Sequence, residues 1–295
     1  MSRRGLDGQV VLVTGAARGI GAALGRRLAD RGARLALAGL EPEELRRVAR
    51  ACGPDASAWD VDVTDWDQLR GAVAGVVERY GGIDVVVANA GIAAAGFVRS
   101  IDPDAFERVI AVDLLGVWRT VRVCLPHLVE RRGYCLVMSS MAAAVHLPGM
   151  APYNAAKAGA EAFANTLRAE VRHLGVAVGV AHPSWIATDM VAAAEEHPVF
   201  GAVRRRMPGP ATRTYPVSAA VDLLEAGIAR RARTVHVPRS MLAAKLARAF
   251  LPALVERAAG RLMPEADAAA LADVERRGGE ASAPVGPGGA AAFRR

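Results

Sequence analysis

At 295 residues, 52% of them hydrophobic, the chain has the material for one large α/β domain with a sizeable core, and its apolar residues fall in short runs with no segment of the roughly 18 residues that a spanning helix needs. The start MSRRGLDGQVVLVTG passes straight into a strand-like run without a small-residue cleavage site, which reads against a secretory leader and for a cytoplasmic protein. The formal charge of +7 comes from arginines scattered over helix faces and both ends, with Lys157 and Lys245 the two lysines, so it reads as solvated surface and not as a nucleic-acid interface.

From Gln9 onward, apolar runs of four to seven residues alternate with longer helical patterns, the rhythm of βαβ units around a parallel sheet. Strands are predicted near 10–14, 34–38, 56–60, 83–88, 134–139, 177–181 and 234–237, with helices starting near Gly19, Pro42, Asp65, Asp102, Pro152 and Val217. The pattern predicts a Rossmann-like doubly wound α/β fold: mainly a seven-stranded parallel sheet with helices on both faces, and ligands beyond the carboxyl ends of the strands. Cofactor and substrate sites are expected together in a catalytic domain over residues 1–239. Between 187 and 215 the rhythm fails. Pro198, Gly201, Pro208, Gly209 and Pro210 suggest a mobile excursion over the strand ends, with Arg204, Arg205 and Arg206 a solvated charge run. Residues 240–277 are expected to form a C-terminal helical extension, beginning with the continuous helical pattern MLAAKLARAFLPALVERAAGRLM; residues 278–295, rich in Gly, Ala and Pro, are expected to be disordered. Cys52, Cys124 and Cys135 show no metal-ligand spacing and read as reduced thiols, so no metal is expected.

The first strand runs into Thr14-Gly15-Ala16-Ala17-Arg18-Gly19-Ile20-Gly21, which opens a helix. Glycines at such a turn let the backbone approach a pyrophosphate closely, while the helix N-terminus offers N–H donors and a partial positive charge. Three glycines at fixed offsets recur by chance roughly a third of the time in a chain this rich in glycine, so position after the first strand carries the argument. Tyr153-Asn154-Ala155-Ala156-Lys157 opens another helical stretch and sets phenol and ammonium one turn apart on one face. Such a pair arises by chance only about three times in a hundred such sequences. An ammonium beside a phenol favours the phenolate and lowers its pKa, which suits proton exchange with a developing alkoxide.

These motifs, in this order over roughly residues 6–238, resemble the short-chain dehydrogenase/reductase family. The resemblance implies an enzyme that interconverts a ketone or aldehyde with an alcohol by hydride transfer with NAD(P). Tyr153 would exchange the proton, Lys157 would tune it and hold the nicotinamide ribose, and Ser140 would orient the substrate oxygen, with Ser139 as fallback. The resemblance also implies cofactor contacts from Gly15, Arg18, Gly19, Ile20 and Gly21; from Asp62 and Val63 at the adenine; from Asn89, Ala90 and Gly91; and from Pro183, Ile186 and Thr188 at the nicotinamide carboxamide. Two departures stand out: Asp113 replaces the asparagine of a water relay to the lysine, where its charge is expected to raise the Lys157 pKa, and Ser184 replaces a glycine. The alternatives are an epimerase or dehydratase on the same fold, and a cofactor-binding scaffold whose chemistry has lapsed.

Glycine at position 39, where family members that use NAD often carry aspartate, together with Arg18 as a phosphate partner, leans the cofactor toward NADP(H) over NAD(H); Glu41 reads as a helix N-terminal acid. Val145, Leu147, Met150, Trp185, Met190, Val199 and Phe200 suggest a largely apolar pocket for a small carbonyl or alcohol substrate. His146 and His182, with no carboxylate partner in view, read as lining or structural groups. A homodimer or homotetramer is implied by the resemblance, with the extension packing within it ahead of covering the substrate mouth or touching a membrane surface.

Overall fold

The central strand sequences VVLVT, VVVA and YCLVM are almost wholly apolar and buried, as a sheet covered on both faces requires. In the computed structural model, which describes residues 5–206 and 212–294 apart from the Val199 side chain, the strands are β1 (Val10–Thr14), β2 (Arg34–Gly39), β3 (Ala56–Asp60), β4 (Val85–Ala88), β5 (Tyr134–Met138), β6 (Ala177–Pro183) and β7 (Thr234–Val237). All pair in parallel in the order β3-β2-β1-β4-β5-β6-β7, so the predicted doubly wound sheet is present.

Period-two alternation divides the core. Val11, Val13, Leu35 and Leu37 face α1 (Gly19–Ala29), α2 (Pro42–Cys52) and a later helix over Val217–Ala229, meeting Leu24, Leu28, Leu45, Leu224 and Ile228. Val10, Leu12, Ala36 and Val86 face the opposite way, toward α3 (Trp66–Tyr80), α5 (Val117–Arg131) and α6 (Ala151–Val171). Helix α4 (Pro103–Ile110) leads into α5 through a π-helical turn, Ala111–Gly116. Asp65 and Asp102 cap α3 and α4, each accepting two backbone N–H groups, which places those helix starts where the sequence predicted them. Cys124 and Cys135 are buried free thiols and Cys52 is half-buried.

The expected excursion is more regular than its composition suggested. α7 (Asp189–Glu196) and α8 (Pro198–Arg205) fill residues 189–205, because Pro198 suits the first turn of a helix and His197 Nδ1 accepts the Phe200 N–H at 3.2 Å. Pro208, Gly209 and Pro210 lie outside the described residues.

After β7, the predicted continuous helix is broken into α10 (Met241–Leu246) and α11 (Leu251–Ala259), which follow α9 (Val217–Ala229), and then α12 (Met263–Arg277) begins. Pro252 and Pro264 lack the N–H that a helix interior needs and are accommodated in first turns. Leu246, Phe250 and Leu254 stay exposed. No helix among the described residues is long and apolar enough to cross a membrane.

The disordered tail was a misreading. A 3-10 turn over Gly278–Ser282 and a helix α13 (Gly286–Phe293) return to the carboxyl edge of the sheet. Val285 N–H donates to the Ala93 carbonyl at 2.8 Å, Arg108 Nε to the Ala292 carbonyl at 2.8 Å, and His197 Nε2 to the Ala281 carbonyl at 2.9 Å. A segment with too little apolar bulk for a core of its own is ordered here by docking on the core of the domain, its small residues permitting close approach.

Candidate active site

The sheet order reverses between β1 and β4, and the loops leaving these strands diverge to open a crevice, the place where a doubly wound sheet takes ligands. Gly15 and Gly21 make the floor. A Cβ on Gly15, whose φ is +63°, would stand 2.7 Å from Ala90 Cα, and one on Gly21 would stand 2.3 Å from the Gly15 carbonyl. Asn89 ties the two loops together, its Nδ2 donating to the Thr14 carbonyl at 2.9 Å and its backbone N–H to Thr14 Oγ1 at 3.0 Å. Helix α1 begins without a side-chain cap, leaving its first N–H groups available to an anion.

On the far side of the crevice, α6 carries Tyr153 and Lys157 on one face, and both line the cleft. Lys157 Nζ lies 5.5 Å from the Tyr153 ring centroid, 3.0 Å from Asp113 Oδ2 and 3.1 Å from the Met138 carbonyl, to which it donates. The other Asp113 oxygen accepts the Ile92 N–H at 2.7 Å. Gly91 leaves room for this ion pair, since a Cβ there would stand 2.8 Å from Asp113 Oδ2 and 3.1 Å from Lys157 Nζ. Ser140, just past the end of β5, stands near the Tyr153 hydroxyl, accepts the Ala142 N–H at 3.1 Å and donates to the Pro183 carbonyl at 3.4 Å. The fallback Ser139 is committed elsewhere, donating to the Lys157 carbonyl at 2.8 Å.

Burial pushes the Tyr153 hydroxyl up; the Lys157 cation and the nearby Ser140 hydroxyl pull it down, Asp113 pushes it up, and the balance lies above the ordinary phenol value. The expectation of a lowered pKa therefore fails in this state, chiefly because burial outweighs the pull of the ammonium, and secondarily because Asp113 opposes it. Burial lowers Lys157, but Asp113 and Tyr153 more than offset it, and the ammonium is held above its usual value, in the expected direction. Desolvation raises Asp113 against the pull of Lys157 and the Ile92 N–H.

Most of the residues named for the cofactor meet in one cavity of about 200 Å³: Gly15, Arg18, Gly19, Ile20, Gly21, Asp62, Val63, Asn89, Ala90, Gly91, Pro183 and Thr188 all line it. Ile186 does not. Its side chain is 3% exposed and turned into the core, leaving only its backbone toward Thr188, whose N–H donates to the Ile186 carbonyl at 2.7 Å. Arg18 is not free, since it is ion-paired with both Glu41 and Asp189. The Glu41 hydrogen bond chiefly holds its guanidinium above the usual range. Asp62 accepts from Thr64 and, at 2.7 Å, from Arg108 Nη2; burial pushes its pKa up, but these donors hold it below the ordinary carboxylate.

Sequence reasoning read Glu41 only as a helix N-terminal acid; it missed Asp189 and, beside the cavity, Arg108, and it missed Val285, Gly286, Pro287, Gly288, Gly289 and Ala292 in its lining. The tail residues carried a weak signal, the i, i+3 spacing of the small residues Gly289 and Ala292, which form the buried face of α13.

Leu147, Met150, Trp185 and Phe200 pack around Tyr153 together with Ala95, Ala194 and Val285, and Met190 lines the cleft, whereas Val145 stands outside this group. Arg204 departs from the solvated run expected of it: 4% exposed, it stacks over Trp185 at 4.3 Å, pairs with Glu195 and donates to Thr214 Oγ1 at 2.8 Å. His182 does have a carboxylate partner, Glu161 at 3.1 Å, with Lys245 from α10 pairing to the same carboxylate, while His146 is exposed. Burial pushes Glu161 up, but the His182 and Lys245 hydrogen bonds hold it down at about 2.

The family model described as short chain dehydrogenase matches residues 9–198. An uncharacterized NAD-dependent oxidoreductase of Mycobacterium tuberculosis is 36% identical over 211 residues, covering 65% of this chain and 77% of the relative. The 2,3-dihydro-2,3-dihydroxybenzoate dehydrogenase of Bacillus subtilis is 32% identical over 194 residues, 64% of this chain and 74% of the relative. Among solved structures, a short chain dehydrogenase/reductase from Burkholderia phymatum in complex with NAD shares the fold with a TM-score of 0.72 at 24% identity, over 81% of this chain and 92% of that one.

Proposed function

From the premise that the chain belongs to the short-chain dehydrogenase family and is a nicotinamide-dependent oxidoreductase, we propose that it interconverts a ketone or aldehyde with an alcohol at a Ser140-Tyr153-Lys157 site. The observation that carries this reading is the convergence of a phenol and a buried ammonium on the lining of the dinucleotide cleft, with Ser140 close behind the phenol. When bound, nicotinamide supplies or accepts the hydride.

Every other part of the reaction falls to side chains. In reduction, Tyr153 Oη gives its proton to the carbonyl oxygen as charge accumulates there; in oxidation it takes the hydroxyl proton back. Ser140 Oγ hydrogen-bonds the same oxygen and stabilises that charge. Lys157 stabilises the phenolate left on Tyr153, and Asp113 with the Met138 carbonyl fixes the ammonium in place. Asp113 is a positioning residue in this scheme. Leu147, Met150, Trp185 and Phe200 exclude water around Tyr153 and favour a largely apolar substrate.

The lean toward NADP(H) takes Gly39 in place of an aspartate together with an available Arg18. With Arg18 held between Glu41 and Asp189, a 2′-phosphate would meet two carboxylates instead of an unpaired cation, and NAD(H) becomes the better reading. The NAD dependence of the mycobacterial relative supports it. A homodimer or homotetramer is retained as the assembly.

Nicotinamide absorbance followed over a panel of apolar ketones and secondary alcohols tests the reaction. Turnover with a member of the panel supports a dehydrogenase; tight NADH binding without turnover on any of them sinks it in favour of a lapsed scaffold, and product epimerised or dehydrated with no net change in absorbance sinks it in favour of the other chemistries of the fold.

A further inference from the structure

The same cavity is lined by two sets of groups, those of the dinucleotide loops and those of the tail. Gly286, Pro287, Gly288, Gly289 and Ala292 face Gly15, Arg18, Glu41, Asp62 and Val63 across it. The last turn of α13 lies in the slot where the family resemblance puts adenine. Ala292, 2% exposed, belongs to the buried apolar cluster of Ala38, Val61, Val63, Ile92 and Val112, against which Leu40 also packs. Further along, a Cβ on Gly288 would stand 3.7 Å from Arg18 Cδ and 3.8 Å from Glu41 Oε2, which puts the tail against the Arg18–Glu41 pair beyond β2. At the substrate end, Val285 packs with the group around Tyr153.

The polar groups of the slot are occupied as well. Both Asp62 oxygens are taken, one by Thr64 and one by Arg108, and the same Arg108 holds the Ala292 carbonyl. Glu41 is spent on Arg18. The space that remains, about 200 Å³, falls below the roughly 300–1,000 Å³ of small-molecule sites. A lid resting over a bound cofactor would leave the slot open; here the tail fills it, and the Arg108 that holds the tail also occupies Asp62.

We propose that the cleft is also the docking site for the chain's own C-terminal tail, residues 285–293, so that tail and dinucleotide are alternative occupants and tail release gates cofactor entry. The proposal rests on the dinucleotide reading of the cleft. Docking costs the tail little specific chemistry: two backbone hydrogen bonds and small apolar side chains hold it, a grip that a dinucleotide with its phosphates at the α1 N-terminus can displace. Apparent cofactor affinity is then set by the fraction of molecules with the tail undocked.

The test is calorimetric titration of NADH into the intact chain, into a chain ending at Ser282, which keeps the Ala281 carbonyl that His197 binds, and into full-length Ala292→Arg, which keeps the whole tail but cannot enter the slot. Both variants should bind NADH about tenfold more tightly than the parent, the gain expected when a tenth of the parent is open. A synthetic peptide of residues 283–295 should weaken NADH binding to the shortened chain. In the intact chain, which needs no variant to fold, saturating NADH should speed hydrogen exchange at the amides of residues 285–293. Unchanged or weaker NADH binding by the variants, or protection of those amides by NADH, overturns the competition and leaves the cofactor reading standing. Failure of the intact and shortened chains alike to bind any nicotinamide dinucleotide instead removes the cofactor reading, and the competition with it.

Discussion

Lys157 Nζ and Asp113 Oδ2 lie 3.0 Å apart in a pocket that leaves Asp113 wholly inaccessible and Lys157 3% exposed. A buried pair of this kind contributes little net stability, because desolvation of both charges opposes their attraction, but removing one partner strands the other. Here the pair sets the charge that Tyr153 feels: the ammonium favours the phenolate and the carboxylate beside it cancels part of that effect.

Asp113→Asn is therefore expected to lower the pKa of Tyr153 and of Lys157, since Asp113 raises both. Alcohol oxidation, which requires the phenolate as base, should show its rising limb at lower pH than in the parent, measured as kcat/KM against pH. The variant should also lose about 3 kcal/mol or more of stability in urea unfolding, the usual effect of breaking a buried pair. A rising limb that stays in place or moves to higher pH argues against a positioning role for Asp113.

Tyr153→Phe removes the proton-exchanging hydroxyl and leaves the ring packed as before. Turnover should fall by about 10² to 10⁴, the range typical of a general acid or base, while NADH affinity changes little. Stopped-flow rates and a binding titration on the same preparation check both halves, and a variant that retains most of its turnover would move the proton transfer to another group.

Glu41→Gln leaves Arg18 with Asp189 alone and lowers the negative charge at the ribose end of the cleft. The parent should bind NADH more tightly than NADPH, and in the variant the ratio of the two Kd values should narrow by about an order of magnitude, the factor that corresponds to 1.4 kcal/mol. A tail that competes with both cofactors equally cancels in this ratio. Equal affinities in the parent would contradict the charge argument.

Glu161 provides a test of pH-dependent stability. Its folded pKa of about 2 lies below the ordinary 4.5, so its contribution is complete above pH 4.5 and is lost as the pH falls toward 2. The size is about 3 kcal/mol, from 1.36 kcal/mol per pKa unit. Glu161→Gln should reduce stability at pH 7, where His182, Lys245 and Arg248 face it, and the gap between parent and variant in urea midpoint should shrink by pH 3. A gap that is constant with pH would mean that the carboxylate charge does not hold the network together.

The sheet was legible because its strands are short apolar runs at regular intervals, and Tyr153 with Lys157 was legible because four-residue spacing on a helix fixes a shared face. The pairings of charged side chains were not. Asp113 lies 44 residues before Lys157, and Glu41 lies 23 residues after Arg18, separations at which only the folded chain decides who meets whom. The tail was misread for a related reason: composition reports whether a segment can bury itself, and gives no sign of a cleft elsewhere in the chain that will bury it.

The π-helical turn over Ala111–Gly116 carries a consequence for any attempt to vary this protein. A widened turn accommodates one more residue than regular winding, and each α-helical residue advances the chain by about 100°. Excising a single position there would return the turn to regular winding, keeping Val117, Val121, Cys124 and Leu128 on the sheet they cover while shifting Asp113 off Lys157. The widened turn thus sets the place of Asp113 separately from the packing of the layer that follows it.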